Sequence, residues 1–163
     1  MPPTVISLAD KLADLAEPWV PTIVGALNGQ FVKVVRFEGE YVWHSHANED
    51  EMFLVVEGQI RICFRDGDIE LGPGELSIVP RGVEHKPVAD QPAQVVLFEP
   101  TATRNTGAVD HHYTIEAADL PRSLGGRKFD VRDANPQEFE ELGQLMERDE
   151  MGESTWQTKG EDP

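Results

Sequence analysis

Residues 44–51 read HSHANEDE, and this stretch holds two histidines and three carboxylates. Imidazole nitrogens and carboxylate oxygens are ligands that divalent transition metals take from proteins. A His-x-His pair also occurs in polar edge strands that bind no metal. The choice between these two interpretations depends on the strands that carry the residues.

Strand geometry gives the two histidines a common direction. Side chains two positions apart in a strand lie on the same face, so a strand over residues 41–46 places His44 and His46 together with Val42. The opposite face then holds Tyr41, Trp43 and Ser45. Both imidazoles are therefore expected to point to the same side of the strand.

Glu51 is the carboxylate that the pattern selects. Residues 51–57 and 59–65 are predicted to form a hairpin, in which directly opposed residues share a face. The face that includes Glu51 is otherwise apolar, and this predicted inner wall consists of Phe53, Val55, Ile60, Ile62 and Phe64. A buried carboxylate without a partner is costly. A cation held with the two histidines would provide that partner.

The chain between residues 30 and 100 is dense in short apolar runs that turn residues separate. Candidate strands cover residues 30–37, 41–46, 51–57, 59–65, 75–80 and 94–99, with separators such as DGD and GPG. Strands at this spacing indicate an all-β sandwich or barrel.

Segments of different character flank this region. Ser7 and Asp10 resemble a capping box, and a short helix is predicted to run to about Ala16, before two prolines. We predict three parts: residues 1–29 with this helix and a lead-in strand, residues 30–117 with the barrel, and residues 118–163 as an acidic extension. The extension is expected to contain a helix near residues 136–150 and a flexible tail.

The formal charge of −16 bears on partners and location. Nucleic acid and anionic membranes require a basic face, so neither is an expected partner. No apolar run reaches the roughly 18 residues of a membrane-spanning helix. Cys63 is the single cysteine and MPPTVISLAD lacks the layout of a signal peptide, so a cytoplasmic protein is expected.

An apolar outer row of Met52, Leu54 and Val56 lies opposite the predicted inner wall. A strand that is apolar on both faces is usually covered on both. Either a terminal segment or a second subunit could cover it. The other histidine pair, His111-His112, has no spaced partners and is interpreted as solvent-exposed.

Two motifs resemble those of the cupin superfamily. The first reads Gly39-EYVW-His44-S-His46-ANED-Glu51-MFLVVE-Gly58, and the second reads Gly74-ELSIV-Pro80-R-Gly82-VE-His85-KPV-Ala89. The gap after Gly39 is four residues instead of the usual five, and Ala89 replaces the usual closing asparagine; neither departure removes a metal ligand. The stretch from about residue 5 to 117 is similar to small cupins described as mannose-6-phosphate isomerase-like.

The resemblance implies a double-stranded β-helix, a jelly-roll-like barrel, with a divalent metal inside and commonly a homodimer. By family position the metal ligands are His44, His46, Glu51 and His85. Fe, Mn, Ni, Co and Zn all suit this set.

Four protein ligands leave an octahedral ion two open positions. These suit a dioxygenase, or an isomerase or lyase, that acts on a small oxygenated or sugar-like molecule. A non-catalytic module that binds a small ligand is the alternative. The catalytic residues stay unassigned, although Glu49, Asp50 and Glu84 could supply a base at the mouth of the barrel.

Overall fold

The computed structural model describes residues 5–123, which contain one short α-helix and seven strands. Helix α1 spans Leu8–Ala13, and a 3₁₀ turn spans Ala117–Asp119. The strands are β1 Thr22–Leu27, β2 Gln30–Glu40, β3 Glu51–Glu57, β4 Ile60–Phe64, β5 Gly67–Leu71, β6 Leu76–Val79 and β7 His85–Pro100. The predominantly β fold with a short N-terminal helix confirms the predicted fold class.

Strand β7 connects the two halves of the sheet. Its first half pairs with β4, and its second half pairs with β3, both antiparallel. Strand β2 runs antiparallel beside both halves, from Gln30↔Pro100 to Glu40↔Val88. The strand order is β1-β2-β7-β3-β6, and β5 pairs with β4. Strand β7 thus pairs with β4 at one end and with β3 at the other, while β2 pairs with it along both halves. The sheet therefore folds over on itself and encloses the core.

The predicted hairpin between residues 51–57 and 59–65 is wrong. β3 pairs with β6 and β7, whereas β4 pairs with β5 and β7. The chain passes from one ladder to the other at Gly58, which has a φ of 83°. A Cβ atom at Gly58 would lie 2.9 Å from the Cα of Ala93, so the chain crosses β7 at close range. The short turn therefore joins strands of different ladders, and the predicted cross-strand partners do not occur.

The inward direction of these side chains is nevertheless as expected. Phe53, Val55, Ile60 and Ile62 are buried in one core cluster, and Phe64 is partly buried against it. The same cluster takes Val35 and Phe37 from β2, and Val95 and Leu97 from β7. Alternation is a property of a single strand, so it assigns faces correctly even where the partner strand was predicted wrongly.

Helix α1 covers part of the outer face of the sheet. Its N-cap is Ser7, whose Oγ accepts a hydrogen bond from the backbone N–H of Asp10 at 3.3 Å, as the capping box predicts. Leu12 is buried in a second cluster with Val24, Val34 and Val96, and Leu54 packs against this cluster. A terminal segment thus covers one residue of the predicted outer row.

Strand β5 lies where no strand was predicted. Its sequence, GDIEL, has no apolar run, and only Leu71 is buried. The boundaries of the three predicted parts stay predictions, and the helix expected near residues 136–150 lies outside the described residues. Within residues 5–123, no helix has the length and apolar character needed to span a membrane.

Candidate metal centre

Backbone pairing brings the two sequence motifs together. The N–H of His44 donates to the carbonyl of His85 at 3.0 Å, and the N–H of His85 donates to the carbonyl of His44 at 2.9 Å. The N–H of Gly82 donates to the carbonyl of His46 at 2.7 Å. Residues 41–46 form only this isolated bridge at His44 and not the predicted strand. The bridge explains how ligand candidates 41 positions apart in sequence become neighbours.

The rings of His44 and His85 are oriented by backbone carbonyls. The Nδ1 atom of His44 lies 3.0 Å from the carbonyl oxygen of Val42, and the Nδ1 atom of His85 lies 3.0 Å from that of Val83. A carbonyl oxygen only accepts hydrogen bonds, so each Nδ1 carries the proton in the neutral ring. The lone pair of each Nε2 is then left for a ligand. Such a contact is the usual outer support of a metal-bound histidine.

Four buried side chains converge on one point. Each of His44, His46, Glu51 and His85 offers a ligand atom, and these four atoms lie within 4.8 Å of one another. The Oε2 atom of Glu51 lies 3.2 Å from Nε2 of His85 and 3.3 Å from Nε2 of His46. Within residues 5–123, this is the one group of three or more such residues close enough to hold a metal ion.

The arrangement of the four side chains suits a shared cation better than it suits direct hydrogen bonds between them. With its proton on Nδ1, neutral His85 presents a lone pair at Nε2 to the carboxylate oxygen 3.2 Å away, which also carries lone pairs. The Nε2 atom of His46 is buried, and its 3.3 Å approach to Glu51 does not have the geometry of a hydrogen bond. A divalent ion accepts lone pairs from all three groups, so the residues present fit a metal.

Burial and charge have opposite effects on the pKa values in the cluster. Burial alone would raise the pKa of Glu51, but the close approach of His46 and His85 outweighs it and holds that pKa well below its usual range. Burial would lower the pKa of His46, yet the contacts with Glu51 raise it. At His44 burial prevails and lowers the pKa to about 4. Near neutral pH, the cluster therefore offers an ionised carboxylate and a neutral His44.

A loop after β7 packs closely against the segment that carries the first two histidines. Gly107 has a φ of 55°, and a Cβ atom there would lie 2.1 Å from the carbonyl oxygen of Ser45. Any side chain at this position would push residues 45 and 46 away. Within the loop, Nδ2 of Asn105 donates to the carbonyl of Tyr113 at 2.7 Å. The hydroxyl of Tyr41 donates to the carbonyl of Asn105 at 3.4 Å, which ties the loop to the segment before the histidines.

The cluster opens onto a small cavity of about 20 Å³. Its lining is Trp19, Pro21, Val35, Phe37, Tyr41, His44, Glu51, Phe53, Pro87, Leu97, Glu99 and Asn105. Phe53 is the member of the predicted inner wall in this lining, and whether the other four contact a substrate stays a prediction. The placement of Tyr41 opposite the histidines was wrong: it packs on Trp19 and His44, because residues 41–46 do not keep strand alternation.

Glu99, which lines the same cavity, belongs to a buried ion pair that the sequence analysis missed. Nζ of Lys33 donates to Oε1 of Glu99 at 2.6 Å, and both side chains are at most 1% exposed. Oε2 of Glu99 is buried without a hydrogen-bond partner among residues 5–123. Lys33 and Glu99 occupy the inward rows of β2 and β7, beside Val35 and Leu97. The argument that selected Glu51, a charge in an apolar inward row, would have found both.

The carboxylates suggested as a base at the mouth are engaged or exposed on the surface. Asp50 accepts hydrogen bonds from the backbone N–H and Nε of Arg81, at 2.8 and 3.2 Å. Glu84 pairs with Nε of Arg65 at 2.6 Å. Glu49 accepts from the backbone N–H of Asn48 at 3.2 Å. His111 and His112 are exposed, as predicted.

Comparison with known proteins identifies the family to which this chain belongs. The family model described as "Cupin domain" matches residues 33–99. A cupin-2 domain containing protein from Shewanella frigidimarina NCIMB 400, known from a crystal structure, is 43% identical, with a TM-score of 0.58. That match covers 59% of this chain and 94% of the Shewanella protein. The chain belongs to the cupin superfamily.

Two further relatives are similar to part of the chain. Protein NMB1881 from Neisseria meningitidis is 33% identical, with a TM-score of 0.55, and the match covers 60% of this chain and 99% of that structure. YdbB from Bacillus subtilis (strain 168) is 34% identical over 64 residues, which are 39% of this chain and 57% of YdbB. The chain therefore spans a little over half of that curated relative.

Proposed function

We propose that this cupin binds a divalent metal ion through His44, His46, Glu51 and His85, and acts as an enzyme on a small oxygenated or sugar-like molecule. The observation that carries the proposal is the convergence of four buried ligand atoms within 4.8 Å. Burying four polar side chains in an apolar interior is costly unless each is paired. A metal ion would compensate this cost in one step.

The bound metal would supply either Lewis-acid activation of a chelated substrate or, with a redox-active ion, reaction of that substrate with O2. The first corresponds to an isomerase or lyase, including the mannose-6-phosphate isomerase-like group, and the second to a dioxygenase. Fe, Mn, Ni, Co and Zn remain the candidate ions. The chain itself supplies a cavity whose walls include Val35, Phe53 and Leu97, and these apolar surfaces would limit the access of water.

Metal analysis tests the site directly. Purified wild-type protein should contain close to one transition-metal ion per chain, and Glu51→Ala and His85→Ala should lose most of it. His112→Ala is the matched control, because this exposed histidine lies outside the cluster. Full metal content in both cluster variants would show that the assigned ligands are wrong.

Oxygen consumption separates the candidate reactions. Protein prepared without oxygen and loaded with Fe(II) should consume O2 in the presence of the correct substrate if it is a dioxygenase. Conversion of the substrate without uptake favours an isomerase or lyase. Ligand binding without conversion under either condition favours the alternative, a non-catalytic module that binds a small molecule.

The outer face of β3 and β6 supports a homodimer as a second part of the proposal. Leu76 and Ile78 are 54% and 58% exposed and lie beside the half-buried Leu54 and Met52. Adjacent exposed apolar side chains mark a surface suited to association. Light scattering should give the mass of two chains for wild type and one chain for Ile78→Asp. A wild-type mass of one chain would exclude the dimer. Leu54 is unsuitable as a test, because it packs under α1.

A further inference from the structure

The second oxygen of Glu99 is the polar atom that the proposed metal site leaves unexplained. Glu99 lines the same cavity as His44 and Glu51, and its side chain is 1% exposed. Lys33 holds Oε1 at 2.6 Å, whereas Oε2 has no hydrogen-bond partner in the part of the chain that the structure describes. A buried carboxylate oxygen that lost its contacts with water is destabilising unless a donor reaches it.

The ion pair fixes this oxygen in position. Lys33 and Glu99 lie on the adjacent strands β2 and β7, which pair continuously from Gln30↔Pro100 to Phe37↔Ala93. The side chains therefore project from rigid sheet, between the apolar neighbours Val35 and Leu97. A hydrogen-bond acceptor held in this way is preorganised, since little side-chain freedom remains to be lost when a ligand binds.

We propose that Oε2 of Glu99 accepts a hydrogen bond from a hydroxyl group of the small molecule held at the metal. The cavity then recognises a compound with two kinds of oxygen: a vicinal pair for the metal and a further hydroxyl for Glu99. Small hydroxy-ketones and hydroxy-aldehydes of the sugar type have this arrangement. This inference rests on the proposed metal site and specifies the class of substrate for it.

A pair of neutral probes tests the inference. Dihydroxyacetone and hydroxyacetone can both present a carbonyl and an adjacent hydroxyl to the metal, but only dihydroxyacetone has a second hydroxyl. Co(II)-loaded protein is titrated with each probe at about pH 8, where the carboxylate is mainly ionised, and binding is followed by the visible absorption of the metal. Wild type should bind dihydroxyacetone about 10- to 100-fold more tightly, as expected for a hydrogen bond to a charged group.

The matched variant is the double substitution Lys33→Met with Glu99→Leu. Replacing both members of a buried ion pair by apolar residues of similar volume usually preserves the fold. The double variant should bind hydroxyacetone within about twofold of wild type, and should lose the preference for dihydroxyacetone. Its Co(II) content and the far-ultraviolet spectrum are measured on the same samples.

Each outcome has one meaning. Equal affinity of wild type for the two probes would overturn the inference while leaving the metal site intact, and would mean that Oε2 pairs with an internal water only. A preference that persists in the double variant would also overturn it, because another group would then bind the hydroxyl. Failure of wild type to take up Co(II) would refute the proposed function, and with it the inference.

Discussion

The ligand cluster and the Lys33–Glu99 pair are two sets of buried charged groups in one cavity, and they are stabilised differently. Lys33 and Glu99 neutralise each other over 2.6 Å. In the cluster, Glu51 faces the Nε2 atoms of His46 and His85, and the Nδ1 proton of His85 is directed to a backbone carbonyl. The charge of Glu99 is therefore compensated without a metal, whereas that of Glu51 is not.

This difference separates a structural requirement from a functional one. Removing one member of a buried pair leaves a charge with no compensation, so the fold depends on the pair. The histidines of the cluster can remain neutral without Glu51, so the stability of the fold depends less on the cluster than on the pair. Metal binding, in contrast, depends mainly on the cluster. Three predictions test this distinction, from the largest expected effect to the smallest.

Lys33→Met should destabilise the metal-free protein more than any change within the cluster. Its expected cost is about 3–5 kcal/mol, because Glu99 would remain buried without its partner. Glu51→Gln is the matched cluster variant and should cost about 0.5–1.5 kcal/mol under the same conditions, the range of an ordinary polar contact. Urea unfolding in the presence of EDTA measures both. Equal costs would show that Glu51 has a structural role comparable to that of Lys33.

Residue types and spacing predicted the cluster better than the pair because the cluster is encoded in two local motifs. His44, His46 and Glu51 were found from alternation and burial, and His85 from the family resemblance. The pairing of β3 with β6 and β7 was not predictable from a short turn, because local sequence does not specify which distant strand completes a ladder. The strand predicted over residues 41–46 failed for a related reason: its backbone hydrogen bonds go to residues 82–87 at only a few positions.

Lys33 and Glu99 were overlooked although each lies in an inward apolar row. A single charged residue in a strand is usually assigned to solvent, since lysine and glutamate are almost never fully buried unless they are paired. The partners are 66 positions apart in sequence, and only the alignment of β2 with β7 brings them together. The positive φ of Gly107 and its contact with Ser45 are likewise visible only in the folded chain.

Gly107→Ala should weaken the cluster without affecting the pair. The new Cβ atom would approach the Ser45 carbonyl to 2.1 Å, so the backbone must shift here, and we expect residues 45 and 46 to move and displace His46. We expect metal affinity to fall about 10- to 100-fold, as when the outer support of a ligand is lost. Competition with a chromogenic chelator measures the change.

Gly29→Ala is the control for this substitution. Gly29 also has a positive φ, 73°, but within the described residues a Cβ atom there would meet no atom within 4 Å beyond its own chain neighbours. It carries the backbone strain of about 1–2 kcal/mol without the clash, so stability should fall while metal affinity stays unchanged. Unchanged metal affinity in Gly107→Ala would mean that the loop adjusts and does not position His46.

The smallest effect is the pH dependence that the pair contributes to stability. Burial raises the pKa of Glu99 to about 7, and the charge of Glu51 acts in the same direction, against the opposing effect of Lys33. The unfolded value is near 4.5, so the folded state binds the proton more tightly. This contribution to stability is present in full below the unfolded value and is lost as the pH rises through about 7.

The stability of wild type relative to the Lys33→Met, Glu99→Leu double variant should therefore fall between about pH 5 and 8. Urea midpoints of both proteins, measured in a chelator across this range, give the difference. Because the cluster histidines are present in both proteins, most of their titration cancels. A flat difference would show that Lys33 keeps Glu99 ionised throughout. Glu99 would then stay ionised over this pH range, and only the groups of the cluster would change their protonation.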